Sequence, residues 1–203
     1  MNDHQSKPAP FTTLSSHIAW SCPWYSVRQD RILLPDGQEG QYNVVQHEGA
    51  VWIVPLTTSR EIVLLNHYRH TVQDWCFELP AGGLRKGESP QTVARKELRE
   101  EIGGEAQSWS YVGQFYTSNG ISNEVAHIFL ATGVTLHETA HEPAEVMEIY
   151  PVALDEALRM ARANEISDGP SALALLLSES RLRDAPQSNG RAGDDDNLNA
   201  ENS

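Results

Sequence analysis

Cysteine and positive charge are both scarce in this chain. Two cysteines, Cys22 and Cys76, stand in 203 residues. They leave room for one bridge at most, exclude a disulfide framework, and fit a reducing compartment. Lysine and arginine together number 15 against 28 aspartates and glutamates, a formal net charge of -13. That balance argues against nucleic-acid binding through the overall field. Part of it lies in the C-terminal "DDDNLNAENS", so the remainder is less extreme. An acidic protein still binds phosphates when metal ions supply the positive charge. Long apolar runs are missing too: no stretch approaches the roughly 20 residues a spanning helix needs. The opening "MNDHQSKPAPFTTLSS" has no apolar segment of the secretory type. These absences predict a soluble, cytoplasmic protein.

What is present reads as mixed α and β. Residues 1–14 are expected to be a mobile, proline-containing arm, and residues 184–203, poor in apolar side chains, a disordered tail. "YSVRQDRILLP" and "GQYNVVQHEG" read as strands flanking the turn cluster "PDGQEG", within a small β subdomain over 15–47. From 48 to 183, "AVWIVPLT" and "EIVLLNHYR" read as buried strands, and "WCFELPAGG" as a short apolar piece ending on small residues. "WSYVGQFYTS", "EVAHIFLATGV" and "EVMEIYPVAL" continue the strands; "ALDEALRMARANEI" and "PSALALLLSESRLR" read as helices. A helix is predicted over Ser89–Ile102, with Ser89 as N-cap, Pro90 at the favoured first position, and Gly103 and Gly104 as the stop. This order fits an α+β fold: a mixed sheet covered by helices on both faces.

The chemistry gathers on that helix. At about 100° per residue, Glu97, Glu100 and Glu101 share an arc of roughly 100°, beside the apolar arc of Ala94, Leu98 and Ile102 and away from Arg95 and Arg99. The carboxylates therefore sit at the rim between core and solvent. Hard oxygen ligands in that position suit Mg²⁺ or Mn²⁺. The plainer reading is a solvated face of glutamates paired with lysine and arginine. The upstream loop decides between them: Gly82, five residues, Glu88, seven residues, Lys96-Glu97-Leu98, one residue, Glu100-Glu101, one residue, Gly103 is a long and spaced pattern.

This pattern resembles the signature of the Nudix hydrolases, which cut diphosphates attached to a nucleoside. Lys96 stands where the signature has arginine, and Gly104 where it has an aliphatic residue. Lysine keeps the charge but not the forked geometry. The resemblance implies a Nudix-type α/β/α sandwich. It also implies metal ligation by Glu97, Glu100, Glu101 and the Ala81 carbonyl, with Glu100 sharing metals or water, and Mg²⁺ (or Mn²⁺) as cofactor. Glu88 would stabilise the loop–helix unit. Gly82 and Gly83 would let backbone approach the phosphates.

"LPDGQ", "GAVWIVPL", "HYRH", "FELPAGGL" and "DEALRMARANEISDGPSALALLL" look like the ADP-ribose and ADP-sugar diphosphatase branch. That likeness implies Arg69 on the diphosphate and aromatics such as Trp24, Tyr25 and Tyr42 stacked on the base, often across a homodimer. It also implies a general base in the loop holding Glu142 and Glu145. In "TSNGISNE" Asn119 replaces the branch's usual proline, while Gly120 and the substrate-side Glu124 remain. The implied partner is a nucleoside diphosphate sugar, ADP-ribose first, with GDP-mannose, ADP-glucose, NADH or a dinucleoside polyphosphate as alternatives; no nucleic acid or membrane is implied.

Two other classes compete. "HETAH", His137 to His141, matches the zinc-protease pattern with Glu138 as base. It needs a helix, and Pro143 follows at once. A box with Lys96 in place of arginine also suits a nucleotide-binding module that hydrolyses slowly.

Overall fold

The computed structural model describes residues 8–139 and 146–185. The first half of the expected arm, Met1–Lys7, and the expected tail from Pro186 on lie outside the described residues, as does Ala140–Glu145; the end of the expected arm, Thr12–Leu14, is already strand.

A three-stranded antiparallel sheet comes first: β1 (Thr12–Ser21), β2 (Ser26–Leu33) and β3 (Glu39–Gln46), in that spatial order. β2 and β3 fall where alternation and the intervening turn predict them. β1 is an additional strand. All ten of its residues are exposed, so it has no buried face to write a clear alternating pattern. It is held by backbone pairing to β2, from Thr12 opposite Leu33 to Ser21 opposite Ser26.

The second sheet is eight-stranded and mixed. β4 (Ala50–Thr57) runs parallel to β10 (Val125–Leu136) and antiparallel to β5 (Glu61–Arg69) and β7 (Ala81–Gly83). β6 (Asp74–Glu78) and β11 (Met147–Ala153) pair antiparallel with β5; β8 (Gly104–Glu105) and β9 (Ser108–Tyr116) pair antiparallel with β10. The apolar piece "WCFELPAGG" thus splits into β6 and β7, which pair with different strands because Leu79 and Pro80 turn the chain between them.

β4 and β5 are buried on both faces, which is why they read as continuous apolar runs rather than as alternating ones. Val51, Ile53, Val63 and Leu65 pack with Val93, Ala94, Leu98 and Ile102 of α1 (Pro90–Ile102). Val54, Leu56, Ile62 and Leu64 face the other way, onto Leu158 of α2 (Leu154–Arg162) and Leu175 and Leu182 of α3 (Gly169–Asp184). Truncating one such side chain, Leu98 for example, costs about 2–5 kcal/mol.

The ends of α1 explain its orientation. Pro90 begins it, and the Ser89 carbonyl accepts from the Val93 N–H at 3.1 Å, but the Ser89 hydroxyl makes no capping bond. Gly103 ends it at φ 62°, with its N–H on the Arg99 carbonyl. Its carbonyl then accepts from the His137 N–H at 2.9 Å. A Cβ at Gly103 would lie 2.2 Å from the His137 carbonyl oxygen. A Cβ at Gly104 would lie 2.8 Å from Leu98 Cγ. Helix α1 and β10 therefore cross on glycine, and an aliphatic residue at 104 has no room.

Candidate active site

The short strand β7 is the floor of the site. Its three residues pair with Ala50, Val51 and Trp52 of β4, and α1 lies directly over it. Glu101 is buried on α1, at 7% exposure, and its Oε2 accepts from the Ala81 N–H at 2.9 Å. Glu97 lies against Gly82 so closely that a Cβ there would be 2.3 Å from the carboxyl carbon. Only glycine admits this approach. The turn before α1 is closed by Glu88, whose carboxylate accepts from the Arg85 N–H at 2.8 Å. Its own N–H returns to the Arg85 carbonyl at 3.0 Å.

Lys96 spans the outer carboxylates: its Nζ lies 2.7 Å from Glu100 and 3.5 Å from Glu97. The bond to Glu100 holds the ammonium's pKa above its ordinary value, against a smaller opposing effect of burial. On the rest of the helix Arg95 covers the Trp109 ring at 4.9 Å, and Arg99 lies 3.6 Å from Glu105. The acidic rim is thus distinct from the basic, outward side, as helical spacing predicts.

A cleft of about 550 Å³ opens over the floor. It is lined by Ala81, Gly82, Gly83 and Arg85 below, Arg69 at one end, and Trp24, His47 and Glu124 along a wall. The structure so brings together Trp24, Arg69, Gly82, Gly83 and Glu124, which sequence reasoning nominated separately. Tyr42 does not line this cleft; it stands on β3, opposite Asp30 of β2 and half-exposed. Glu142 and Glu145 lie outside the described residues.

Arg69 is not a lone cation. Its Nε donates to both oxygens of Glu78, at 2.9 and 3.1 Å, and its Nη2 donates to Oε2 at 2.5 Å. This fork raises the guanidinium's pKa further. Glu78 is 5% exposed. Sequence reasoning missed it because an acid in an apolar strand has no visible partner until β5 and β6 pair. The same holds for His47, which leaves β3 at the cleft wall. Its Nδ1 lies 3.3 Å from Glu124 Oε1, while Thr117 Oγ1 donates to Glu124 Oε2 at 2.7 Å.

The sequence profile of the NUDIX domain matches residues 46–173, and that of the nucleoside diphosphate sugar hydrolase N-terminal domain matches residues 11–45. The chain belongs to the Nudix family. An ADP-ribose pyrophosphatase of Mycobacterium tuberculosis is 38% identical over 161 residues, 77% of each chain. An ADP-ribose pyrophosphatase of Bacillus subtilis is 34% identical over 144 residues, 70% of this chain and 78% of the relative. A methanol dehydrogenase activator of Bacillus methanolicus is 34% identical over 165 residues, 80% of this chain and 89% of the relative. The crystal structure of an ADP compounds hydrolase superposes with a TM-score of 0.77 at 17% identity, over 90% of this chain and 99% of that one, a likeness of fold.

Nudix ADP-ribose pyrophosphatases generally use a divalent metal ion. The donors on α1 and β7 fit one chemically: three carboxylates and a strand carbonyl are hard oxygens, and Gly82 gives Glu97 a cradle that a side chain would fill. In the conformation described these carboxylates are taken up by Ala81 and Lys96. Among the described residues no three His, Cys, Asp or Glu side chains converge as a ready-made ion site. As for the zinc-protease motif in this Nudix chain, His137–Thr139 is not helical. The helix that motif requires is missing there, because β10 runs to Leu136 and His137 is bonded to Gly103. Its remaining residues, Ala140 and His141, lie outside the described residues. No helix among the described residues is long and apolar enough to cross a membrane.

Proposed function

We propose that the chain hydrolyses the diphosphate bond of a nucleoside diphosphate sugar, ADP-ribose first, to AMP and ribose 5-phosphate, with Mg²⁺ as its metal and Mn²⁺ as a substitute. One observation carries this reading: Arg69 and the Ala81–Gly83 backbone line one cleft, and Glu101 and Glu97 of α1 stand against Ala81 and Gly82 of that same short strand. A diphosphate needs cationic and backbone partners on one side and a cation-binding acidic face on the other; the cleft supplies the first, and the α1 carboxylates against β7 supply the second. The names of the relatives from M. tuberculosis and B. subtilis support adenosine diphosphate ribose as the first substrate to test.

In this reading Glu97, Glu101 and the Ala81 carbonyl would hold the ion, with Glu100, now paired with Lys96, as a further oxygen donor. Glu100 is 40% exposed and Lys96 57% exposed in their side chains, so a surface pair of this kind is worth little and yields readily. A divalent ion bound there neutralises diphosphate charge and acidifies water. The chain's own part is positional. Glu78 locks the Nε–Nη2 edge of Arg69, so the guanidinium meets the diphosphate already oriented. Gly82 and Gly83 bring backbone close to the phosphate oxygens. Glu142 or Glu145 takes the proton of the attacking water as the new P–O bond forms and the bridging P–O bond breaks. Support for that segment is its exit: Val146, the next described residue, accepts from the Tyr68 N–H at 3.0 Å, one residue before Arg69.

The same reading makes the protein a homodimer in the cytoplasm. Trp24 is 77% exposed, and Leu14, Ile18 and Trp20 are exposed on β1. Such a face suits a second copy that completes base stacking. Cys22 and Cys76 are free thiols, which suits a reducing compartment.

The deciding experiment is a panel of ADP-ribose, ADP-glucose, GDP-mannose, NADH and diadenosine polyphosphates with Mg²⁺, read by nucleotide release, with light scattering for mass. Release of AMP from ADP-ribose at the highest kcat/KM is expected. No hydrolysis of any member would overturn the assignment.

A further inference from the structure

We infer that His47 and Glu124 act as a hydroxyl-reading pair in the cleft, with Asn123 as their positioning residue. The inference rests on the nucleoside diphosphate sugar reading above and names residues for its sugar specificity.

His47 is held on three sides. Its ring stacks on Tyr25, with centroids 5.6 Å apart and planes 16° apart, and Tyr25 leans in turn on Trp20 at 5.4 Å. Its Nδ1 lies 3.3 Å from Glu124 Oε1. Its backbone is clasped from both ends by one amide: the His47 N–H donates to Asn123 Oδ1 at 2.8 Å, and Asn123 Nδ2 donates to the His47 carbonyl at 3.3 Å. Two backbone bonds extend the clasp, Val45 N–H to the Ile121 carbonyl at 2.8 Å and Asn123 N–H to the Val45 carbonyl at 3.3 Å. The loop 117–124 is therefore tied to the end of β3, although the two belong to different sheets.

The far end of Glu124 is equally fixed, since its Oε2 accepts from Thr117 Oγ1 at 2.7 Å. Side chains this constrained, at 26% and 19% exposure, form a rigid polar edge rather than a mobile surface. Both line the cleft that holds Arg69, Gly82 and Gly83. His47 and Asn123 also line the adjoining cavity of about 370 Å³ on the N-terminal sheet. With Nδ1 committed to the carboxylate, the ring has Nε2 left to offer, as an acceptor when neutral and a donor when protonated. Glu124 can only accept. A hydroxyl both donates and accepts, so it is the substrate group that satisfies this pair in either state. Phosphate oxygens, which repel the carboxylate, do not. A site built around a hydroxyl discriminates strongly against a compound lacking it.

The test uses three substrates: ADP-ribose, the methyl ester of ADP, which has no distal sugar, and the ADP-ribose analogue whose adenosine ribose carries no hydroxyls. With His47→Ala, kcat/KM on ADP-ribose is expected to fall about tenfold, mostly through KM, which is the loss of one such bond. On one of the two deficient compounds the loss should vanish, and that compound identifies the sugar being read. Its undiminished turnover also shows that the variant is folded. Asn123→Ala should give the same selective pattern in KM with kcat preserved. An equal loss on all three substrates makes His47 and Asn123 structural and overturns the inference, as does no loss on any. A wild-type chain that cleaves none of the three overturns the diphosphate reading itself.

Discussion

Replacing Gly82 by alanine tests the geometry of the site directly. The new Cβ would meet Glu97 at 2.3 Å from Cδ, 2.4 Å from Cγ and 2.5 Å from Oε1, where ordinary contact begins at 3.4 Å. Glu97 must retreat by roughly 1 Å, several times the ±0.2 Å within which a metal–ligand distance is held. The backbone itself tolerates alanine, since φ at Gly82 is not in the left-handed region, so folding stability should change by less than about 1 kcal/mol. Misplacement on this scale costs about 100-fold in rate. The assay is AMP release at saturating ADP-ribose, beside thermal unfolding followed by circular dichroism. Gly83→Ala is the paired control, because nothing lies within 4 Å of a Cβ there; it should act on KM through the substrate rather than on kcat. If folded Gly82→Ala kept kcat within about threefold, less than 1 kcal/mol of barrier, the claim that Glu97 must stand against this strand would be wrong.

Glu101→Gln keeps an oxygen for the Ala81 N–H but loses the charge. Turnover should drop by about 100-fold or more with the unfolding midpoint little changed, and normal AMP release would refute its role. Lys96→Arg is expected to leave kcat equal or higher, since a guanidinium can fork onto the carboxylates that Lys96 now touches; a large loss would give the lysine a role of its own. Ser171→Ala should destabilise by about 1–3 kcal/mol in urea unfolding. Ser171 is fully buried, accepts the Leu79 N–H at 2.8 Å and donates to Asp168. Asp30 carries the pH dependence. The Arg28 side chain, forked onto it at 2.8 Å, and then Ser16 hold its carboxyl below the ordinary 3.8. A lowered folded pKa contributes stability above the ordinary value and loses it as pH falls through the folded one. The stability gap between wild type and Asp30→Asn should therefore be constant at neutral pH and close below about pH 3.8; a gap that widened in acid would contradict the pairing.

The box helix was legible because three independent signals coincided: glycine at its end, an apolar arc at Ala94, Leu98 and Ile102, and acids on the adjoining arc. β4 and β5 were legible because burial on both faces leaves unbroken apolar runs. β1 was not, since every residue in "TTLSSHIAWS" is exposed and what defines it is pairing with β2, which the strand's own pattern does not show. The nominated residues Arg69, Gly82, Gly83, Trp24 and Glu124 meet in one cleft, yet the sequence showed no reason for Glu78 or His47 to join them. Their importance comes from neighbours that are remote along the chain: Arg69 across a strand pair, and Asn123 across two sheets. Ser89 shows the reverse error, a residue of the right type at the right place whose hydroxyl makes no capping bond.

The two sides of the cleft are built with unequal stiffness. Ala50, Val51 and Trp52 hold β7 on one edge and Ala126, His127 and Ile128 on the other, so the floor of the cleft is anchored to a central strand of the large sheet. The opposite wall is composite: Trp24 and His47 come from the small sheet, Glu124 from the loop that leads into β10, and Asn123 and a few backbone bonds tie the two. A lineage can therefore refashion what the wall admits, exchanging β3 and its tethered loop, while the strand beneath and the helix upon it stay as they are.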